Sequence, residues 1–283
     1  MASSESGNEA FSVLLSMNVL TLAISWEQIW EVVSSAQTFY LFVAIGFVAQ
    51  LIDGLLGMGY GVVTAISLMS LNMSPATVSA SIHTAEMFAS GASGYSHYRL
   101  GNVDRRLFKA LLVPGVLGAV SGALLLSYFG EHFAAWVKPT LAVYLLLLGL
   151  RILRQAFQQP GPSRPVKHIG WLAGAGGFLD SFGGGGWGPL VTSTLLMRGR
   201  TPQYVIGSVS LTEFFVTFAS ALTFFTTLGF SHWQVVLGLI VGGIAAAPLA
   251  ARLAGNLPVR WMLAGVGLMV IVWSLWTLYK SFG

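Results

Sequence analysis

Asp53-Gly-Leu-Leu-Gly57-Met-Gly59-Tyr-Gly61 and Asp180-Ser-Phe-Gly-Gly184-Gly-Gly186-Trp-Gly188 are two versions of one pattern, set 127 residues apart. The alignment runs without a gap over 41 residues, twelve of them identical, and places Pro75 on Pro202, Ser81 on Ser208, Glu86 on Glu213 and Ser93 on Ser220. The chain is therefore an internal duplication. Both copies lie in strongly apolar sequence, where a carboxylate is costly and persists mainly at a working site or in a good pair.

Composition says what kind of solvent surrounds that site. Charged residues make up 8 % of the 283 and hydrophobic ones 55 %, with a mean hydropathy of +0.75, against about 25 % charged in soluble domains. This is an integral membrane protein. Apolar segments of helical length recur from residue 37 to residue 281 without a period of two, which predicts an all-α bundle rather than a barrel. The absence of cysteine excludes disulfides, thiolate metal sites and thiol redox chemistry. The cations behind the net charge of +4 sit at segment ends, as membrane anchors do, and this excludes nucleic acid as a partner. No pattern requires a cofactor or a bound metal, and homo-oligomerisation stays open.

Residues 1–36 form an N-terminal segment. Its start, Met1-Ala-Ser-Ser-Glu5, has no basic region, so a cleaved signal peptide is not expected. Residues 10–25 are short for a span, and Trp26, Ile29, Trp30 and Val33 share one helical face, the pattern of an interfacial helix. Repeat one then covers 37–157, a cytoplasmic linker 158–167, and repeat two 168–283. Each repeat divides into five segments: A (37–53, 168–180), B (61–72, 188–198), C (75–98, 202–227), D (105–128, 232–254) and E (134–155, 258–279). A crossing needs about 20 residues, so A and B are expected to form a hairpin of half-length helices joined by the glycine loop. Such a hairpin returns to the side it left. With three further crossings each repeat has odd parity, so the two are expected to be inverted.

Charge placement tests this, because Lys and Arg collect on the cytoplasmic side. Repeat one carries Arg99, Arg105, Arg106 and Lys109 between C and D. Repeat two has no cation there but carries Arg252 and Arg260 between D and E. With Arg151, Arg154, Arg164, Lys167, Arg198 and Arg200, 12 of 14 cations fall inside, leaving Lys138 and Lys280 as exceptions. Inverted repeats with broken helices at matching positions are the architecture of secondary transporters, whose sites lie near the midplane where the half-helices meet.

Three sets of residues could carry the chemistry. Gly57, Gly59, Gly61, Gly184, Gly185 and Gly186 leave backbone N–H groups bare at the start of segment B, where a helix N-terminus favours an anion; small residues also serve close helix packing, and both readings stay open. Tyr60 and Trp187 are equivalent positions that would flank such a site. Ser79, His83, Glu86, Ser90, Ser93 and His97 form one polar stripe down segment C, kept in repeat two as Ser210, Glu213, Thr217 and Ser220. Glu86 and Glu213 are candidates for proton carriers or Na⁺ ligands, or for neutral partners in interhelical hydrogen bonds. His83, one turn from Glu86, could share that proton or bind substrate. Asp53 and Asp180 sit at the C-terminal end of segment A, where the helix dipole disfavours a negative charge, so each either caps the following loop or binds a cation or proton. No Lys or Arg lies mid-segment, so an anionic substrate, small and compact, would rest on backbone N–H groups, hydroxyls and His83.

Ala49-Gln-Leu-Ile-Asp-Gly-Leu-Leu-Gly-Met-Gly-Tyr-Gly61, Ser79-Ala-Ser-Ile-His-Thr-Ala-Glu86, Ser96-His-Tyr-Arg-Leu-Gly-Asn-Val-Asp104 and Gly183-Gly-Gly-Gly-Trp-Gly-Pro189 together resemble the sulfite exporter TauE/SafE family over residues 38–280. The resemblance implies a bacterial cytoplasmic-membrane exporter of sulfite or a related small sulfur-containing or organic anion, coupled to a proton or cation gradient. It lays the glycine loops and the four acids along a central site. The chain departs from the wider family at Val62, where proline is usual, and in having all four acids. Two other functions remain to be weighed. A passive anion channel would use the same loops, and Gly91-Ala-Ser93-Gly94 resembles the serine motif of rhomboid intramembrane proteases, although Ser93 lies late in a helix, its repeat mate reads Phe218-Ala-Ser220-Ala, and His168 and His232 sit at segment ends.

Overall fold

A computed structural model describes residues 36–71, 73–158, 166–229, 232–253 and 259–282. The interfacial helix expected around Trp26–Val33 and most of the 158–167 linker lie outside them. The described residues form ten α-helices and no strand, so the all-α class holds. The helices of repeat one are α1 (Ala36–Leu56), α2 (Tyr60–Ser70), α3 (Pro75–Arg99), α4 (Arg105–His132) and α5 (Ala134–Ala156). Those of repeat two are α6 (Ile169–Gly183), α7 (Ser193–Met197), α8 (Pro202–Leu228), α9 (Trp233–Leu253) and α10 (Val259–Phe282), with a π-helical turn at Gly188–Thr192 leading into α7.

The boundaries follow from caps written in the sequence. Ser74 accepts a hydrogen bond from the Thr77 N–H and Pro75 opens α3; Asp104 accepts from the N–H groups of Arg106 and Leu107 at the start of α4. One boundary departs from expectation. α1 runs three residues past Asp53, and the Gly57 N–H closes on the Asp53 carbonyl at 2.6 Å. At 21 residues, α1 is about 31 Å long and can cross a membrane, whereas the 11-residue α2, about 16 Å long, cannot. The first hairpin is therefore a full-length helix followed by a half-length one. Among the described residues five helices are long and apolar enough to cross: Thr38–Leu56 in α1, Arg105–Gly130 in α4, Ala135–Ala156 in α5, α8, and Leu263–Lys280 in α10.

Packing is organised by exchange between the repeats. α1 lies on α9 and α6 lies on α4, so segment A of each copy packs against segment D of the other; α3 lies on α8 and α5 on α10. Small residues permit these approaches. A methyl group on Gly242 of α9 would sit 2.0 Å from the Val43 carbonyl oxygen of α1, and one on Gly118 of α4 would sit 2.1 Å from that of Gly174 in α6. At the centre, the Ser90 and Thr217 hydroxyls meet at 3.5 Å across the α3–α8 contact, and these two residues are the same position of the repeat. Each hairpin is enclosed in its own apolar core, one around Tyr60, Ala65, Leu68 and Leu239, the other around Trp187, Leu111, Val191 and Leu195.

Candidate transport site

The two glycine hairpins touch each other at the centre of the bundle. A methyl group on Gly61 would lie 2.6 Å from the Gly184 carbonyl oxygen, and one on Gly185 would lie 2.5 Å from the Val62 nitrogen. Neither position has room for a side chain. Gly59 (φ +127°) and Gly184 (φ +73°) also hold backbone conformations that a Cβ disfavours. Tyr60 and Trp187 are packed inside the two cores, 1 % and 0 % exposed, with the Trp187 indole N–H pointing to the Val209 carbonyl at 3.4 Å.

Asp180 ties the second hairpin together. Its Oδ1 accepts from the N–H groups of Gly186 (2.7 Å) and Trp187 (2.9 Å), while its Oδ2 lies 3.1 Å from Nε2 of His83 on α3. The imidazole is oriented by its other nitrogen. Nδ1 is 2.7 Å from the Ser79 carbonyl oxygen, which can only accept, so Nδ1 carries a hydrogen. Nε2 and the Asp180 carboxyl therefore hold one proton between them, as imidazolium and carboxylate or as neutral imidazole and carboxylic acid. The Ser79 hydroxyl continues the network by donating to the Ser181 carbonyl at 2.5 Å, and the Ser181 hydroxyl meets that of Ser220 on α8 at 2.5 Å.

Two residues outside the expected set complete this clamp. The Tyr144 hydroxyl of α5 donates to the Gly185 carbonyl at 2.8 Å. Arg151, also on α5, donates from Nε to the Pro189 carbonyl (3.1 Å) and from Nη2 to the Thr194 hydroxyl (2.7 Å). The wide π-helical turn leaves that carbonyl within reach of side chains, and the Ser193 hydroxyl bonds it as well. Arg151 was expected to mark the cytoplasmic helix end only; nothing in its sequence neighbourhood points to a loop 38 positions away.

Glu86 is buried at 5 % exposure, and its Oε2 has no hydrogen-bond partner. One ligand atom each from His83, Glu86 and Asp180 lie within 4.8 Å of one another. That spacing suits ligands around a small cation, while the His83–Asp180 contact, at 3.1 Å, is the one at hydrogen-bond distance. Among the described residues no Lys or Arg pairs with Asp53, Glu86, Asp180 or Glu213, and the ion-pair contact of these acids is His83–Asp180. The repeat mates of this cluster are arranged differently. Asp53, Ser210 and Glu213 are only partly buried, and the Asp53 carboxylate accepts one hydrogen bond, from the Tyr60 N–H at 3.3 Å. Glu86 and Glu213 each fall twelve residues into their helix, near the middle of α3 and of α8.

Known proteins match the chain over most of its length. The sulfite exporter TauE/SafE family matches residues 42–277, which takes in both hairpins and all ten helices in whole or part. The chain is 39 % identical over 251 residues, 85 % of its own length and 83 % of the other's, to the probable membrane transporter protein YtnM of Bacillus subtilis. It is 24 % identical over 226 residues, 77 % of this chain and 91 % of the other, to the probable membrane transporter protein YdhB of the same organism. No solved structure matches it. A duplicated helical bundle with this coverage and this identity over nearly the whole chain belongs to the sulfite exporter TauE/SafE family, and the protein is a multi-pass membrane transporter rather than an enzyme.

Proposed function

We propose that the protein exports sulfite or a related small sulfur-containing or organic anion across the bacterial cytoplasmic membrane, by alternating access coupled to a proton or cation gradient. The observation that carries this reading is the buried His83–Glu86–Asp180 cluster, without a Lys or Arg partner, where the two glycine hairpins meet. Coupling runs through Asp53, Glu86, Asp180 and Glu213. The anion rests on the loops Gly57–Gly59–Tyr60–Gly61 and Gly184–Gly185–Gly186–Trp187, with His83 and Ser210 beside them.

The geometry supplies a way to link the two movements. Asp180 already occupies the N–H groups of Gly186 and Trp187. An anion reaching that loop would displace the carboxylate, and the added negative charge favours uptake of a further proton from the solution to which the site is open, since the hydrogen between Nε2 and Asp180 already belongs to the pair. Competition for the same donors thus binds anion and proton movement together. The exchange of A and D segments between the repeats supports inversion of the two halves, the arrangement that lets each present the site in turn.

Purified protein in liposomes loaded with sulfite tests the function. Efflux against a concentration gradient, driven by an imposed pH or Na⁺ gradient, is the expected result; flux that only runs downhill and ignores both gradients identifies a passive channel. Inversion has its own test. A cysteine at Leu100→Cys should react with an impermeant thiol reagent only from the cytoplasm and one at Ser231→Cys only from outside, and reaction of both from the same side contradicts inversion.

A further inference from the structure

A cavity of about 110 Å³ opens between the first half of α3 and the last half of α8, with room for several waters or for a compact anion keeping part of its hydration. Its α3 wall presents Ser74, Thr77, Ser81 and Thr84, spaced three, four and three, while Phe224 is part of its α8 wall. This stripe runs along α3 beside the Ser79–His83–Glu86 stripe, not through it. Phe224 faces both ways: it lines the cavity, is 1 % exposed, and its ring lies 6.0 Å from the His83 ring, centroid to centroid. The side chain that walls the cavity is therefore also the one laid against the His83–Asp180 pair.

The equivalent place at the other end of the bundle is sealed. Repeat mates of Ala80, Ser81, Ala221 and Phe224 are Gly207, Ser208, Gly94 and His97. There the turn at 101–104 fills the space: a methyl on Gly207 would sit 2.2 Å from the Asn102 carbonyl oxygen. The Asp104 N–H donates to the Ser208 hydroxyl at 2.8 Å, Gln203 donates to the Asn102 side chain at 2.5 Å, and Asn102 meets His97 at 3.3 Å. A methyl on Gly94 would lie 2.7 Å from the Leu211 Cα.

We infer that the Ser74–Thr84 cavity is the open vestibule of the transport path for a small hydrated anion, that Phe224 is the gate between it and the His83–Asp180 pair, and that the Asn102–Asp104 turn seals its counterpart. The inference rests on the proposed transport function and adds the route to it. Opening that route requires the Phe224 ring to swing away from His83, while the opposite end opens when the 101–104 turn leaves Gly207.

The chain has no native cysteine, so introduced ones report without background. Thr84→Cys, in the vestibule, should react with an impermeant thiol reagent from the side opposite to Leu100→Cys. Ser220→Cys, one turn before Phe224 and buried at 0 % exposure, should stay dark in the otherwise native chain. Combined with Phe224→Ala it should react at least an order of magnitude faster, and with Phe224→Val by a smaller factor. A dark Thr84→Cys, labelling from the Leu100 side, or Ser220→Cys that reacts equally with and without the Phe224 ring overturns the proposal. If neither Phe224 variant folds, the contrast between Thr84→Cys and Ser220→Cys in the native background decides, since equal labelling of both removes the gate. Labelling is independent of which anion is carried, so absent sulfite flux with these reactivities counts against the substrate and coupling assignment alone.

Discussion

The two glycine hairpins descend from one sequence pattern and are held with very different strength. In the second, Asp180 makes two backbone hydrogen bonds and the contact with His83, Tyr144 bonds the Gly185 carbonyl, and Arg151 and Ser193 take the carbonyl of Pro189. In the first, Asp53 makes one long hydrogen bond and is a partly buried residue, and the Tyr60 hydroxyl is buried without a partner. The difference assigns unequal jobs to equal copies. In the proposed transport cycle the more tightly held second hairpin would serve as the fixed frame and the first would be the one to shift its backbone.

The sharpest way to break this comparison is to remove the two aspartates separately. Asp180→Ala strips two N–H groups and the buried imidazole of their partner and should lower stability by about 3–5 kcal/mol. Asp53→Ala loses a single weak hydrogen bond and should cost about 1 kcal/mol. Thermal unfolding of the two variants in the same detergent measures both, and equal losses would put the hairpins on the same footing. Next in size is Arg151→Met, which keeps an apolar stem but deletes the charged donors to Pro189 and Thr194; about 2 kcal/mol is expected, read by the same unfolding measurement. The smallest pair is a sign test. Tyr144→Phe removes a satisfied hydroxyl and should cost about 1 kcal/mol, whereas Tyr60→Phe removes a buried unsatisfied one and should leave stability unchanged or raise it by up to about 1 kcal/mol. Loss of stability in Tyr60→Phe would mean that the first hairpin is gripped after all.

Much of the frame was legible in the sequence because its signals are local. Ser74-Pro75, Thr201-Pro202 and Asp104 mark helix starts, and segments C, D and E of both copies fall within a few residues of α3, α4, α5, α8, α9 and α10. The end of α1 was misplaced because a carboxylate at a helix C-terminus reads as a stop; Asp53 instead stays helical and its carboxylate turns to the Tyr60 N–H. The loop-capping role of the aspartates was one of two readings of the residues, and it is the one the hydrogen bonds display in this conformation. What the sequence did not contain is who meets whom across the bundle. His83 and Asp180 are 97 positions apart, Ser79 and Ser181 102, and Tyr144 and Gly185 41. No helical period or motif encodes those separations; they follow from the exchange packing of the two copies.

In the proposed function, Glu86 and Glu213, near the middle of α3 and of α8, couple the anion to an ion gradient. Glu86→Gln and Glu213→Gln keep size and hydrogen-bonding capacity while removing titration, so proteoliposomes carrying each variant test the claim most directly. Both variants should still exchange sulfite across the membrane but lose accumulation driven by an imposed pH or Na⁺ gradient, which the native chain should show. Native-like uphill flux in both variants would contradict it and leave Asp53 and Asp180 to carry the coupling.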